Sequence, residues 1–439
     1  MEWATTPLLK VQRAAELSPA VLGPRLRSAH ALCTFYHAEF QAVFVVTETS
    51  IEAFRWNPEL GWQDKLVDRR LCVVFECPER LRAERKQSGV VQLGGLAGAR
   101  VLRATAATYL ASSNEVLVAH EDLSLRCYAC ESGELGFETR STILVLDDQT
   151  TVPSPAEREY VTKLHPLPSG AVIAGHVSGR VTYLDAAWHA GPLSLVAPER
   201  IRQWLGAAAP VAGVSALAVQ APIPALVTTA NAAASPEQAR RNGTATEPVR
   251  ESDSPLVVAV GYTAGFLLLI RGKLMHPEID FLGWMHCQEI VDVLFWQRWR
   301  CVCTASRPGE VALTSLDTGR TLHRQSLPFC CAFARAQNDD RLLVGGDAPV
   351  PVWISIESGA SSTDIGQPGS AHQAGGVADG SETTPSRRLA TGLSRLSQRL
   401  AASMITMTTG CWATSASDFI FVTRSGQLAW LSTRTVSPS

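Results

Sequence analysis

Short apolar runs, tight polar turns and alternating strands follow one another along most of this chain. The clearest copy is Ala171-Val-Ile-Ala-Gly-His-Val-Ser-Gly-Arg-Val-Thr-Tyr-Leu-Asp185. An apolar run at 172–174 leads into a tight turn at Val177-Ser-Gly179, and alternation resumes on Val181 and Tyr183. That order predicts a β-hairpin.

Close variants recur. A first unit pairs 42–46 with 51–56 around the turn 47–50, and 71–75 is its candidate fourth strand. The second runs 106–111, 115–119 and 123–130, closing on Glu131-Ser-Gly133. The third is 161–167, 171–175 and 180–185. A fourth starts at 214–219, is interrupted, and resumes as 256–262 and 266–271. The fifth is 290–296, 300–304 and 311–316, closing on Asp317-Thr-Gly319. The sixth is 329–334, 341–345 and 350–356, closing on Glu357-Ser-Gly359. The last is 404–409, 419–423 and 427–432. The interruptions at 221–254 and 360–403 are rich in Ala, Ser, Thr, Gly and Pro and poor in apolar runs, which predicts disordered insertions.

Seven units of three or four strands, spaced by roughly 40 residues once the insertions are removed, are the mark of a β-propeller. The last unit supplies no fourth strand of its own. A ring avoids an open sheet edge if an N-terminal strand completes its last blade. Within 1–30, the segment Pro7-Leu-Leu-Lys-Val11 is the expected closing strand, leaving 31–439 as the propeller with its insertions.

The units resemble WD40 repeats. That family places a Gly-His pair before the first strand and Trp-Asp at the end of the third. Here Leu184-Asp185 keeps the aspartate, whereas Tyr128-Ala129, Thr314-Ser315 and Ile354-Ser355 occupy the corresponding places without it. The resemblance implies an all-β, seven-bladed WD40-like propeller and a non-catalytic scaffold or adaptor role in a multiprotein assembly. Where the aspartate is missing, the usual side-chain brace is not expected, and apolar packing between sheets must hold the ring.

Composition fits a large core: 46% of the 439 residues are hydrophobic and 18% charged, with a formal net charge of −2. Such a balance gives no overall pull toward nucleic acid or acidic lipid. Eleven cysteines without a framework spacing, and no basic region followed by an apolar run at the start, favour a reduced, intracellular, soluble protein. The longest apolar runs, such as 266–270, are too short to span a bilayer.

Candidate chemistry is sparse. Cys127 and Cys130 form a C-x-x-C, but residues three apart on a strand face opposite ways and cannot converge on zinc. Cys301 and Cys303 share a strand face without a second pair, and Cys330-Cys331 point apart. His120 and His176 occupy matching places and read as turn-supporting residues. No Ser-His-Asp or paired-carboxylate context and no G-x-x-x-x-G-K-[ST] loop is present. No cofactor and no enzymatic activity are expected, although an acid and histidine cluster at a channel mouth would reopen that reading.

One interruption carries a different pattern. Leu389, Leu393, Leu396 and Leu400 fall at i, i+4, i+7 and i+11, one stripe of a short amphipathic helix over 387–400, with Arg387, Arg388, Arg395 and Arg399 off that stripe. Gly392 weakens the helix by about 1 kcal/mol. The segment would dock in a partner's groove, pack on its own propeller, or give the adaptor affinity for RNA or an anionic lipid surface. The bracketing pairs Trp56/Trp62 and Trp296/Trp299 are weaker candidates for partner contact or for burial between blades.

Overall fold

The structure is a computed structural model that describes residues 7–13, 21–26, 30–37, 39–57, 61–66, 72–75, 102–131, 134–137, 142–143, 159–186, 193–205, 213–220, 256–273, 276–327, 331–337, 341–346, 352–358, 407–413, 418–423 and 426–432. These residues form seven antiparallel sheets. Blade one comprises Ala31–His37, Ala42–Thr47, Ser50–Asn57 and Gly61–Leu66. Blade two comprises Ala104–Leu110, Glu115–His120, Ser124–Glu131 and Glu134–Phe137, and blade three Val161–Pro166, Val172–His176, Val181–Leu184 and Leu193–Val196. Blade four is Val214–Gln220, Leu256–Tyr262, Phe266–Lys273 and His276–Trp284. Blade five is Ile290–Trp296, Cys301–Ser306, Glu310–Ser315 and Thr321–Ser326.

The last two blades borrow their outer strands. Cys331–Gln337, Arg341–Gly346 and Val352–Ser358 are completed by Pro7–Arg13, and Met407–Ala413, Asp418–Thr423 and Gln427–Ser432 by Val21–Arg25. The expected closing strand therefore belongs to blade six, with Leu9 opposite Ile356 and Val11 opposite Ile354, and not to the last blade. The reason is chain order. Val21–Arg25 is the segment just before the first strand of blade one, so it occupies the outer edge of the adjoining blade. Gly23 and Pro24 disguise it as a turn, yet an outer edge tolerates proline because its outward N–H has no ladder partner.

The first strand of each blade contacts the first strands of both neighbours, in the order one to seven and back to one. Each of these seven strands also carries a register shift at its second residue, at positions 32, 105, 162, 215, 291, 332 and 408. Such a bulge bends the strand and increases its twist. At two junctions the bulged residue is a hydroxyl that ties the ring together. Thr162 donates to the carbonyl of Val214 at 2.6 Å, and Ser215 to that of Ile290 at 2.7 Å.

Apolar cores lie between sheets. Phe44, Val46 and Ile51 of blade one meet Leu102, Val116 and Tyr128 of blade two, and Ile173 and Val181 of blade three meet Val258, Tyr262 and Phe266 of blade four. The second strands 42–47, 115–120, 172–176 and 301–306 are buried along their length. They read as continuous apolar runs because a neighbouring sheet covers each face. Each buried Val, Leu or Ile contributes about 1.5–3 kcal/mol.

One local expectation needs correction. The fourth strand of blade one is Gly61–Leu66, while Val73–Val74 pairs with Ile51 and Ser50 beside it. The described helix, α1, is Pro198–Leu205, and the segment 387–400 lies outside the described residues, as do 221–254 and 360–403. In α1, proline starts the helix, Glu199 favours its positive end, and Pro198 and Ile201 are buried.

The bracing network also falls elsewhere than Asp185, whose Oδ1 is buried without a hydrogen-bond partner among the described residues. It occurs in blade five, which lacks the aspartate. His286 precedes the first strand and pairs through Nδ1 with Glu310 at 2.7 Å and through Nε2 with the Thr304 hydroxyl at 2.8 Å. Burial holds His286 below its usual pKa, against the pull of Glu310. Glu310 supplies the carboxylate of this brace from the start of the third strand.

Candidate partner-binding face

Antiparallel order puts the start of each first strand, the end of each second, the start of each third and the end of each fourth at one end of the sheets. At that end the second and third strands join through tight turns. The same i to i+3 bond recurs as Leu123 N–H to His120 O (3.0 Å), Gly179 to His176 (3.0 Å), Gly265 to Tyr262 (2.9 Å) and Gly309 to Ser306 (3.1 Å). The closing residue has positive φ in all four, at 65°, 88°, 89° and 99° in that order.

Four large apolar residues are exposed among those described: Val74 (45%), Tyr160 (37%), Trp204 (56%) and Trp284 (52%). All four belong to this end. Tyr160 precedes the first strand of blade three, Trp204 lies on α1 between blades three and four, and Trp284 ends the fourth strand of blade four. Val74 pairs with Ser50, the first residue of a third strand. Large exposed aromatics gathered on one face mark an interaction surface better than scattered single ones.

Trp284 stands on a rigid base. Its ring meets Phe266 edge-on at 5.5 Å, Phe266 stacks on Tyr262 at 4.1 Å, and the Tyr262 hydroxyl donates to the Gly179 carbonyl of blade three at 3.2 Å. Complete burial pushes the Tyr262 phenol far up, so it remains a neutral donor. An indole held this way loses little freedom when a partner covers it.

Ion pairs trim the same end. Arg103 pairs with Glu48 at 2.9 Å, Arg180 with Glu159 at 3.0 Å, Arg307 with Glu289 at 2.6 Å, Arg126 with Asp122 at 3.1 Å and Arg324 with Glu310 at 3.1 Å. The pairs with exposed arginines, those of Arg103, Arg307 and Arg324, contribute at most about 1 kcal/mol each. Their larger effect is to fix turns and to neutralise the rim.

The residues expected to bind from sequence, Arg387, Arg388, Leu389, Leu393, Arg395, Leu396, Arg399 and Leu400, lie outside the described residues. Trp56 and Trp296 are core residues, 2% and 1% exposed. Cys127 packs between blades two and three and Cys130 between one and two, on opposite faces as their spacing requires. Burial pushes the Cys130 thiol up to about 11. Among the described residues no three His, Cys, Asp or Glu side chains are grouped to hold a metal ion. No described helix is long and apolar enough to cross a membrane. Sequence reading missed Trp204, although it falls off the stripe of 198, 201 and 205, and Trp284, which ends the alternating strand 276–284.

No protein-family model and no curated protein matches the sequence. Solved structures do. A chain of a mitotic checkpoint complex crystal structure aligns with TM-score 0.50 and 9% identity, covering 98% of this chain and 93% of that one. Chaetomium thermophilum Raptor aligns with TM-score 0.52 and 11% identity, covering 96% of this chain and 29% of that one. At such identities the likeness concerns fold. In fold, this chain is a WD40-like β-propeller.

Proposed function

We propose that the chain is a non-catalytic, intracellular protein-interaction adaptor that holds a partner on the face carrying Tyr160, Trp204 and Trp284. One observation carries the reading: the exposed large apolar residues among those described all fall at one end of the sheets. Two solved structures with similar folds are named as a mitotic checkpoint complex and as Raptor, which fits a role in assemblies. Under the same reading, 387–400 supplies a second contact element, its four leucines facing the partner and its arginines flanking them.

The test is site-specific photo-crosslinking in cells. A crosslinking amino acid at Tyr160 or Trp284 is expected to yield a discrete partner adduct, and one at Ala111, an exposed turn residue at the opposite end, is expected to yield none. Equal labelling from both ends, or none from either, would refute the reading.

A further inference from the structure

Helix α1 differs from the rest of this face in its charges. Arg103, Arg126, Arg180, Arg307 and Arg324 are each engaged by a carboxylate. Arg200 and Arg202 are exposed and make no ion pair among the described residues. Glu199 precedes them at the helix start, yet pairs with neither. Pro198 and Ile201 anchor the other side, Ile201 in the apolar cluster between blades three and four.

Helical spacing sets what this leaves outward. Arg200 and Trp204 are i and i+4 neighbours on one face, so a guanidinium and an exposed indole lie side by side. Arg202, two residues from each, projects from the opposite side of the helix. Glycine-free α1 fixes both groups on a regular element packed from below, which reduces the ordering cost of binding.

We propose that α1 is a docking element for an acidic segment of a partner protein, resting on the adaptor reading above. An apolar side chain of that segment covers Trp204, and a carboxylate beside it meets Arg200, which no carboxylate among the described residues pairs. Charge complementarity selects this occupant over a polyphosphate or a lipid surface. A polyanion binds by neutralising several phosphates along a basic stripe, whereas Arg200 and Arg202 project from opposite sides of α1 and Arg103, Arg180, Arg307 and Arg324 of this end are already paired with carboxylates. A peptide bearing one or two carboxylates fits that distribution. The arginine fork favours a carboxylate further, through bidentate pairing.

The test is peptide selection on the full chain from a random displayed library, followed by fluorescence anisotropy with the enriched peptides. Enrichment of Asp or Glu beside Leu, Phe or Trp is expected. Those peptides should bind Trp204→Ala and Arg200→Glu at least tenfold more weakly, and binding should weaken with salt. All substituted positions are exposed, and unchanged melting curves confirm folding. No enrichment, enrichment of neutral or basic peptides, or equal binding to these variants overturns the proposal. So does cosedimentation with phosphatidylserine vesicles that depends on Arg200 and Arg202. Peptides that lose binding on Trp284→Ala or Tyr160→Ala but keep it on the α1 variants overturn this proposal and leave the adaptor reading standing.

Discussion

The hydroxyl of Thr162 lies 3.1 Å from the Gly175 carbonyl of its own sheet and donates over the shorter distance, 2.6 Å, to the backbone carbonyl of Val214 on the next blade. Ser215 does the same one junction further on, to Ile290 at 2.7 Å. Both hydroxyls sit at the bulged second residue of a first strand, where the ladder has left carbonyls without an N–H. Removing a buried donor leaves its acceptor unsatisfied, which costs about 1–3 kcal/mol. Thr162→Val, which keeps shape, and Ser215→Ala are each expected to lower stability by about 1–2 kcal/mol. Urea unfolding checks this: the midpoint should fall with unchanged m-value, and an unmoved midpoint would mean that the bonds contribute nothing.

Gly261 lies opposite the bulge of blade four and lets blade five close in. A Cβ there would stand 2.6 Å from Cγ2 of Ile290 and 3.1 Å from Cβ of Ala216. Both neighbours belong to first strands in the ring, so neither has room to retreat. Gly261→Ala is expected to cost about 1–3 kcal/mol by overpacking. An Ile290→Ala background removes the 2.6 Å contact and leaves only the tighter-than-usual Cβ contacts at 3.0 and 3.1 Å, so the same substitution should cost at least about 1 kcal/mol less. A cycle showing equal costs in both backgrounds would contradict the steric account.

The second and third strands were legible because their signal is local: an apolar run covered on both faces, a tight turn, then alternation. The outer strands at 7–13 and 21–25 were harder, since their partners lie more than three hundred residues away at 352–358 and 427–432 and Gly23-Pro24 mimics a turn. The brace of blade five was hidden by substitution, with Met285-His286 in place of Gly-His and Glu310 supplying the carboxylate from the third strand. The binding face was the least legible. Trp284 and Trp296 look alike in sequence, yet one ends an outer strand and the other ends an inner strand packed by its neighbours.

Leu123 is an exception among the tight turns. It adopts φ 65° where the three equivalent positions are glycines. A left-handed conformation costs an L-residue about 1–2 kcal/mol, partly offset because glycine gives the unfolded chain more freedom. Leu123→Gly is therefore expected to raise stability by about 0.5 kcal/mol. Gly265→Ala should move the opposite way, because φ there is 89° and a Cβ would collide with the carbonyls of His286 and Gln288. Opposite signs in thermal melts are the expected outcome; a destabilised Leu123→Gly would show that its side chain matters more than its backbone.

His120 and His176 make the fold sensitive to acid. Burial, followed by the charge of Arg126, pushes His120 down to about 3, and burial with Arg180 takes His176 to about 4. His176 pairs through Nε2 with the Thr182 hydroxyl at 2.9 Å. His120 stands edge-on to Phe75 at 5.0 Å, with the Arg103 backbone as its polar neighbour. Both groups are depressed from 6.5, so between pH 6.5 and about 4 the unfolded chain binds protons that the folded chain refuses. Their contribution is complete above pH 6.5 and is lost as the pH falls below it, by about 2 kcal/mol for each histidine between pH 7 and 5. Glu310 is held below the usual carboxylate value by His286 and Arg324 against the opposing effect of burial, and its contribution is lost only as the pH falls below about 4.5. Urea midpoints measured from pH 7.5 to 5 therefore isolate the histidines. His120→Leu should remove about one proton from the slope of stability against pH, and curves that run parallel to the unsubstituted chain would show that His120 takes up its proton in the folded state.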